Sequence, residues 1–240
     1  MGIIGTVISG VSSLGSALCR GVSAVCSTIG RGVATVANAL VTSIAKLTVE
    51  KLERAMDVIS IVIGAIAEIF GLKDKEETTE EIGMKAEEAA KEGVKPENFD
   101  SYEEYINHLR ENIEVDKSKL ENLSKEDKMK YTAVGSSILV KGIEEKEEFE
   151  IPGEFVAEIG RQNMSVAETR QYIKTFKNED LDLKDFASFL AGTIDKKVYA
   201  TVGNAIESAI RNLNPDMTEN EIDDKITNMK DTARIQEENK

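Results

Sequence analysis

The sequence predicts an all-α protein: a long amphipathic N-terminal helix built on an eleven-residue repeat, an apolar helix, an acidic linker and a C-terminal soluble helical domain. Three observations predict this class. The repeat fills the first 47 residues, helix-capping signals of the type Ser/Thr-x-x-Glu recur along the rest of the chain, and strand patterns are nearly absent. Residues 148–151 are the one short strand candidate.

The repeat places most of its large apolar residues on one side of a helix. Three helical turns take about 10.8 residues, so an eleven-residue unit returns to nearly the same face. The apolar residues follow spacings of four, four and three and form a stripe suited to a membrane or an oligomer seam: Val11, Leu14, Leu18, Val22, Val25, Ile29, Val33, Val36, Leu40 and Ile44. We therefore predict a helix, straight or bent, over residues 3–47. At about 1.5 Å per residue it is longer than one perpendicular membrane crossing, so it must lie in the interface, break into a hairpin or line an assembly.

The other side of this helix is polar and almost uncharged. Its residues would face headgroups or the lumen of an oligomeric pore: Ser16, Arg20, Ser27, Arg31 and Asn38. Gly10, Gly21 and Gly32 recur once per repeat and permit close contact between helices. A water-facing helix of a coiled coil normally carries more Glu and Lys, so the composition favours contact with lipid.

An apolar segment follows, and then the composition changes. Residues 48–56 form a charged hinge or a helical continuation, and residues 58–67 are either a buried core helix or half of a membrane hairpin. At about 1.5 Å per residue this segment is too short to cross a ~30 Å hydrocarbon core. We divide the chain into residues 1–72, membrane-active or self-associating; 73–98, an acidic linker and helix; and 99–240, an acidic soluble helical domain.

Helix starts can be placed in the acidic part. Capping residues predict helices that begin after Thr78, Ser101, Ser124, Ser165 and Thr218. A further apolar stripe extends from residue 183 to about residue 213.

The charge of the chain is divided in the same way. Residues 1–72 contain five basic and four acidic side chains, whereas the remainder contains 25 basic and 40 acidic ones. An acidic surface argues against nucleic-acid binding, because phosphate contacts need basic groups.

No catalytic constellation stands out. His108 is the only histidine, the acidic segment 180–185 lacks the glycine and the closing glutamate of a calcium loop, and no glycine-rich phosphate loop occurs. Cys19 and Cys26 would lie about 10 Å apart along one helix, too far for a disulfide within it. We therefore expect neither enzymatic activity, nor a cofactor, nor a metal.

The apolar Gly/Ser/Ala-rich helices of residues 1–72, which start without the basic region of an ordinary signal peptide, resemble the small pore-forming effectors of bacterial contractile (type VI-like) secretion systems. The resemblance implies a toxin that is soluble or chaperoned before it inserts into the membrane of a target cell after secretion. Its partners would be a lipid bilayer, further copies of itself, and a delivery, chaperone or immunity protein. Residues 73–240 do not share in the resemblance.

An alternative is a structural subunit of a virion, tail or filament. In that case the repeat is an oligomer seam with a right-handed supercoil tendency, and the protein resides inside a virion or a tail-like particle. The stripe is also compatible with ordinary protein core. The membrane hypothesis requires a partner for the stripe outside its own chain.

Overall fold

The structure, a computed structural model, describes residues 2–234, with side chains from Leu14 onward. This part of the chain contains twelve α-helices, one 3-10 turn at Pro96–Asn98 and no strand, so the all-α prediction is confirmed. The helices are α1 Gly2–Ile29, α2 Arg31–Ile44, α3 Val49–Ile69, α4 Thr79–Lys91, α5 Tyr102–Asn112, α6 Lys117–Glu121, α7 Lys125–Glu147, α8 Gly153–Arg161, α9 Val166–Asn178, α10 Leu183–Ala191, α11 Tyr199–Leu213 and α12 Glu219–Arg234.

The segment predicted as one helix over residues 3–47 is not continuous: of the arrangements left open for it, the structure has a hairpin, because the chain reverses direction at Gly30. The φ of Gly30 is 154°, a conformation that residues with a side chain rarely adopt, and it separates α1 from α2. The two helices then run antiparallel. The Ser23 hydroxyl donates to Asn38 Oδ1 over 2.7 Å, and Gly15 lies against the Ala45 carbonyl.

Helix α7 lies at the centre of the fold. Every residue from 131 to 140 is buried, and α1, α2, α3, α4 and α5 all pack against this helix. The sequence accounts for this position, since no charged residue occurs between Lys130 and Lys141. Ser136 and Ser137 also lie on α7 and are fully buried.

The predicted capping residues are confirmed. The hydroxyls of Thr78, Ser101, Ser124 and Ser165 each accept a hydrogen bond from the backbone N–H three residues later, and Thr218 accepts one from Glu221. Such bonds satisfy N–H groups that a helix start otherwise leaves without a partner.

Two other expectations differ from the structure. The apolar stripe of residues 183–213 is divided between α10 and α11, because Gly192 ends α10 with a φ of 77°. The strand candidate 148–151 is not a strand: Glu148 is the left-handed C-cap of α7, and the residues after it lead into α8.

One apolar core extends from Leu18 to Ala233. Helix α4, within the predicted linker, packs tightly on α7: a Cβ added to Gly83 would lie 2.4 Å from the Tyr131 carbonyl oxygen. The three-part division of residues 1–72, 73–98 and 99–240 thus describes composition, whereas the helices on both sides of each boundary share a core. Within the described residues, none of the helices has the length and hydrophobicity needed to cross a membrane.

Candidate functional site

The candidate site is the hairpin formed by α1 and α2, and its apolar stripe faces the body of the same chain. Eight of the predicted stripe residues are at most 6% exposed: Leu18, Val22, Val25, Ile29, Val33, Val36, Leu40 and Ile44. Leu14 is half-buried, and Val11 and Gly10 lie outside the residues whose side chains are described. The stripe packs on α7 and, through α2, on α8. In this conformation the stripe therefore does not have the partner outside its own chain that the membrane hypothesis requires.

The predicted polar residues lie on the outer side of this hairpin. Ser16, Arg20, Ser27 and Arg31 are exposed, and Asn38 is half-buried beside Ser23. The first acidic residue of the chain is Glu50, so the hairpin itself contributes no carboxylate to the surface. Among its described side chains, the exposed polar groups are therefore hydroxyls, Arg20 and Arg31, and Lys46 follows just after α2.

The reversal at Gly30 is covered by a glutamate from the segment before α5. A Cβ added to Gly30 would lie 2.6 and 2.9 Å from the two carboxylate oxygens of Glu97. No side chain caps α2 at its N-cap, Gly30, so the Glu97 carboxylate supplies negative charge at a helix start that carries partial positive charge.

Tyr102 covers the next glycine. A Cβ added to Gly32 would lie 2.3 Å from the Tyr102 hydroxyl oxygen, so only a glycine fits beneath the ring without a shift. Burial raises the pKa of Tyr102 to about 12, and the nearby carboxylates of Glu97, Glu144 and Glu145 act in the same direction. The phenol therefore stays protonated at any physiological pH.

These covering residues are held on α7. The backbone N–H of Tyr102 donates to Glu145 Oε2 over 2.8 Å, and Lys146 Nζ lies 2.5 Å from Glu103 Oε2. The start of α5 is thus fixed to the central helix, and Tyr102 with it.

The opposite end of the hairpin is attached to α8. Arg161 Nη2 donates to the Ser43 carbonyl oxygen over 2.6 Å and also pairs with Glu158. Burial lowers the pKa of Arg161 to about 10, which leaves the guanidinium charged at neutral pH.

Of the three glycines predicted to allow close packing, Gly21 and Gly32 have described surroundings, and these differ. Gly32 lies beneath Tyr102, whereas a Cβ on Gly21 would meet only the flexible Lys130 side chain, at 3.4 Å. Helix α2 also makes a close backbone contact with a glycine outside the repeat: a Cβ on Gly153 would lie 2.2 Å from the Val36 carbonyl oxygen.

The two cysteines are both free thiols in α1. Cys26 is buried, and this burial raises its pKa to about 12; burial also raises the pKa of the half-buried Cys19. Both shifts disfavour the reactive thiolate at neutral pH.

The sequence did not identify two features of this site. Glu97 and Tyr102 were not predicted as partners of the repeat, because they lie more than 60 residues further along the chain. The second feature lies on α3, where Ile61 and Ile69 are 68% and 54% exposed although the segment around them is apolar. Ile61, Ala65 and Ile69 follow one another at a spacing of four residues, which places them on the same face of the helix. This spacing is the sequence signal that the three residues share one face.

A polar cluster joins α3, α4 and α7 elsewhere in the body. The Thr132 hydroxyl donates to Glu80 Oε1 over 2.7 Å, and the hydroxyls of Ser60 and Thr79 lie 2.5 Å apart.

His108 packs against Phe99, with ring centroids 5.1 Å apart. Over the described residues, no three His, Cys, Asp or Glu side chains come together in a way that could hold a metal ion.

A scan against protein-family models, a search of curated proteins and a search of solved structures each found no significant match to this chain.

Proposed function

We propose that this chain is a membrane-active, pore-forming protein of the secreted-effector type, without enzymatic activity, that keeps its N-terminal stripe against its own body until it meets a bilayer. The observation that carries the proposal is the outer face of the hairpin. In a chain of net charge −14, this face exposes hydroxyls, small side chains and two arginines, and the hairpin contributes no carboxylate to it.

Such a surface suits an anionic lipid headgroup layer better than bulk water. A helix that stays in water normally carries Glu and Lys on its outer side, whereas hydroxyls and arginine side chains suit the interface and a wet pore lumen. In an oligomer of inserted hairpins, Ser16, Ser27 and Asn38 would line the lumen together with Arg20 and Arg31.

Insertion requires the hairpin to leave the body, since its stripe is buried there. Burial of an apolar side chain is worth about 25 cal/mol per Å² whether the surroundings are protein or lipid. The stripe is buried both in the core and in the bilayer, so its transfer keeps most of the free energy gained by burying it. Release is opposed by the free-energy cost of exposing to water the apolar surface of α7 beneath the hairpin.

The test is dye release from vesicles. The full chain is incubated with anionic and with zwitterionic vesicles while the temperature is raised to its unfolding midpoint. We expect release from the anionic vesicles below that midpoint, together with flotation of the protein with the lipid. The absence of release and flotation over the whole range would overturn the proposal.

A pair of charge variants separates the hairpin from the rest of the surface. Ser27→Glu with Thr35→Glu adds two carboxylates to exposed positions of the hairpin, and Thr201→Glu with Asn204→Glu adds two to exposed positions of α11. Charge near a membrane surface is worth about 1 kcal/mol per residue, so we expect the first pair to reduce release at least about tenfold and the second to leave it nearly unchanged. Equal effects of the two pairs would contradict a specific role of the hairpin.

The structural-subunit alternative is favoured by the exposed isoleucines of α3. Ile61 and Ile69 offer an apolar contact that does not require the hairpin to move. Light scattering in lipid-free buffer distinguishes the two functions: ordered particles that Ile61→Ser and Ile69→Ser abolish would support assembly.

A further inference from the structure

Gly30 is the one residue that interrupts the helix between Gly2 and Ile44. Helical hydrogen bonding reaches it from both sides: its N–H donates to the Cys26 carbonyl over 3.2 Å, and its own carbonyl accepts from the Ala34 N–H over 3.0 Å. The reversal therefore depends on the φ and ψ of a single residue, 154° and 161°. Rotation of that residue to helical angles would make α1 and α2 continuous.

The interruption leaves backbone groups without helical partners. At a helix start the first N–H groups lack an acceptor, and at a helix end the last carbonyls lack a donor. No side chain caps α2 at Gly30. A continuous helix would join these groups, because the N–H groups of residues 31, 32 and 33 would reach the carbonyls of residues 27, 28 and 29.

The repeat keeps its phase across the joint. The spacing from Val25 to Ile29, then to Val33 and Val36, is four, four and three, the same as on either side. Arg20, Arg31 and Thr42 likewise stay eleven residues apart. A hairpin only has to present one face of each arm to the body, so it does not need this register to continue through the turn. A single long helix does need it.

The hairpin is held closed by contacts from outside the repeat as well as within it. Glu97 and Tyr102 lie over Gly30 and Gly32, and the Ser23–Asn38 hydrogen bond joins the two arms at an exposed position. Loss of these contacts would allow Gly30 to rotate, while the helical hydrogen bonds within α1 and within α2 are kept.

We propose that Gly30 is a one-residue hinge and that the chain has a second conformation in which residues 2–44 form one continuous helix. At about 1.5 Å per residue this helix is roughly 65 Å long, with the whole stripe along one side. The swing carries α1 off α7 and uncovers apolar surface, so the extended form is populated when a bilayer covers the stripe. The link between the hinge and membrane entry rests on the proposed function, whereas the hinge itself is a property of the chain.

The hinge is tested by a distance between spin labels. Cys19 and Cys26 are replaced by alanine, and the labels are attached at Arg20→Cys and Thr42→Cys. These two positions lie on opposite arms, at nearly the same height along the hairpin. We expect a separation of roughly 10 Å between the helix axes in the closed form. In a continuous helix the 22 intervening steps separate the labelled positions by about 33 Å. Pulsed electron paramagnetic resonance distinguishes the two.

Gly30→Ala shifts the balance between the two forms. Alanine is strained at the closed-form angles and is the best residue for a helix interior, so both effects favour extension, and we expect the extended fraction to rise at least about tenfold. Gly21→Ala is the matched control, because its new methyl meets only the Lys130 side chain and it lies inside α1. It should leave the short distance unchanged.

A chemical link between the arms keeps the test valid if Gly30→Ala is destabilised. Ser23→Cys and Asn38→Cys joined by a short bis-maleimide should restore the native circular dichroism and the short distance to the Gly30→Ala chain. If the linked Gly30→Ala chain still unfolds, Gly30 is required for folding and the hinge is wrong.

The results separate the hinge from the membrane function. A short distance in Gly30→Ala with anionic vesicles, while dye is released, would overturn the hinge and leave the function standing. A distance of about 33 Å without dye release would support the hinge and overturn the function. Both the long distance and faster release in Gly30→Ala, each abolished by the link, are expected if both proposals hold.

Discussion

The N-terminal hairpin and the C-terminal helices α9–α12 are folded by different means. In the C-terminal part, side chains mark the helix starts: Ser165 and Glu168 form a reciprocal capping box, and Asp182 caps α10. Phe186 then packs against Phe155, Tyr172 and Phe176, with ring centroids 4.8 to 5.9 Å apart. In the hairpin, α2 starts without a side-chain cap at a glycine, the sequence of both arms contains no aromatic residue, and Tyr102 from α5 lies over Gly32.

The difference shows which part of the molecule can have two arrangements. Caps and interlocking aromatic rings specify helix ends and packing locally, and they favour a single structure. The hairpin arms have strong helical periodicity but a weakly specified joint, so contacts with the body decide their direction. We expect perturbations of the C-terminal part to act on global stability and perturbations of the hairpin to act on its position.

The largest expected effect is in the aromatic cluster. Phe186→Ala removes a fully buried ring with three aromatic neighbours, and such changes cost about 3–5 kcal/mol. Urea denaturation monitored by circular dichroism should show a lower midpoint for all helices together. Loss of signal from α10 alone, without global destabilisation, would show that this part is not one cooperative unit.

An intermediate effect is expected where the hairpin contacts α8. Gly153→Ala places a methyl 2.2 Å from the Val36 carbonyl oxygen, which is backbone and must move. We expect a loss of about 1–3 kcal/mol, the usual penalty of overpacking. Hydrogen exchange should accelerate in α2 more than in α9–α12. Gly21→Ala is the control and should be neutral or stabilising, since it relieves a helix-interior glycine.

The smallest effect concerns the ion pair between α12 and α9. Burial by itself would raise the pKa of Glu168, but hydrogen bonds from Lys225 and Ser165 outweigh it, and the pKa is lowered. A lowered carboxylate pKa stabilises the fold above the ordinary value of 4.5, and this stabilisation is lost as the pH falls below it. For a partly exposed pair we expect about 0.5 kcal/mol. Lys225→Gln should flatten the pH dependence of the unfolding free energy below pH 5, and an unchanged slope would contradict the assignment.

The sequence predicts the parts of this fold that depend on local chemistry. Thr78, Ser101 and Ser165 mark helix starts because a hydroxyl meets the N–H three residues later, within the same short segment. The stripe from Leu18 to Ile44 was predicted to be apolar on one face for the same reason. Neither pattern states which surface the stripe meets, and in the structure it meets the chain's own body.

The features that the sequence left open depend on distant partners. The reversal at Gly30 could not be read from the repeat, since the periodicity continues through it and other glycines in the same segment do not interrupt α1. The contacts of Glu97 and Tyr102 with the joint exist only after α5 has docked on α7. The burial of α7 is signalled by its uncharged run from Tyr131 to Val140, whereas its capping residue Ser124 indicates only where the helix starts.

The uneven placement of carboxylates makes acid a selective agent on this molecule. The first 49 residues have only Arg20, Arg31 and Lys46 as charged side chains, and no carboxylate. All 44 Asp and Glu residues lie in the remainder, so acid can remove negative charge only there. Acidification towards the chain's isoelectric point of about 4.7 therefore leaves the hairpin cationic while the body beneath it loses negative charge, and the electrostatic attraction between them weakens.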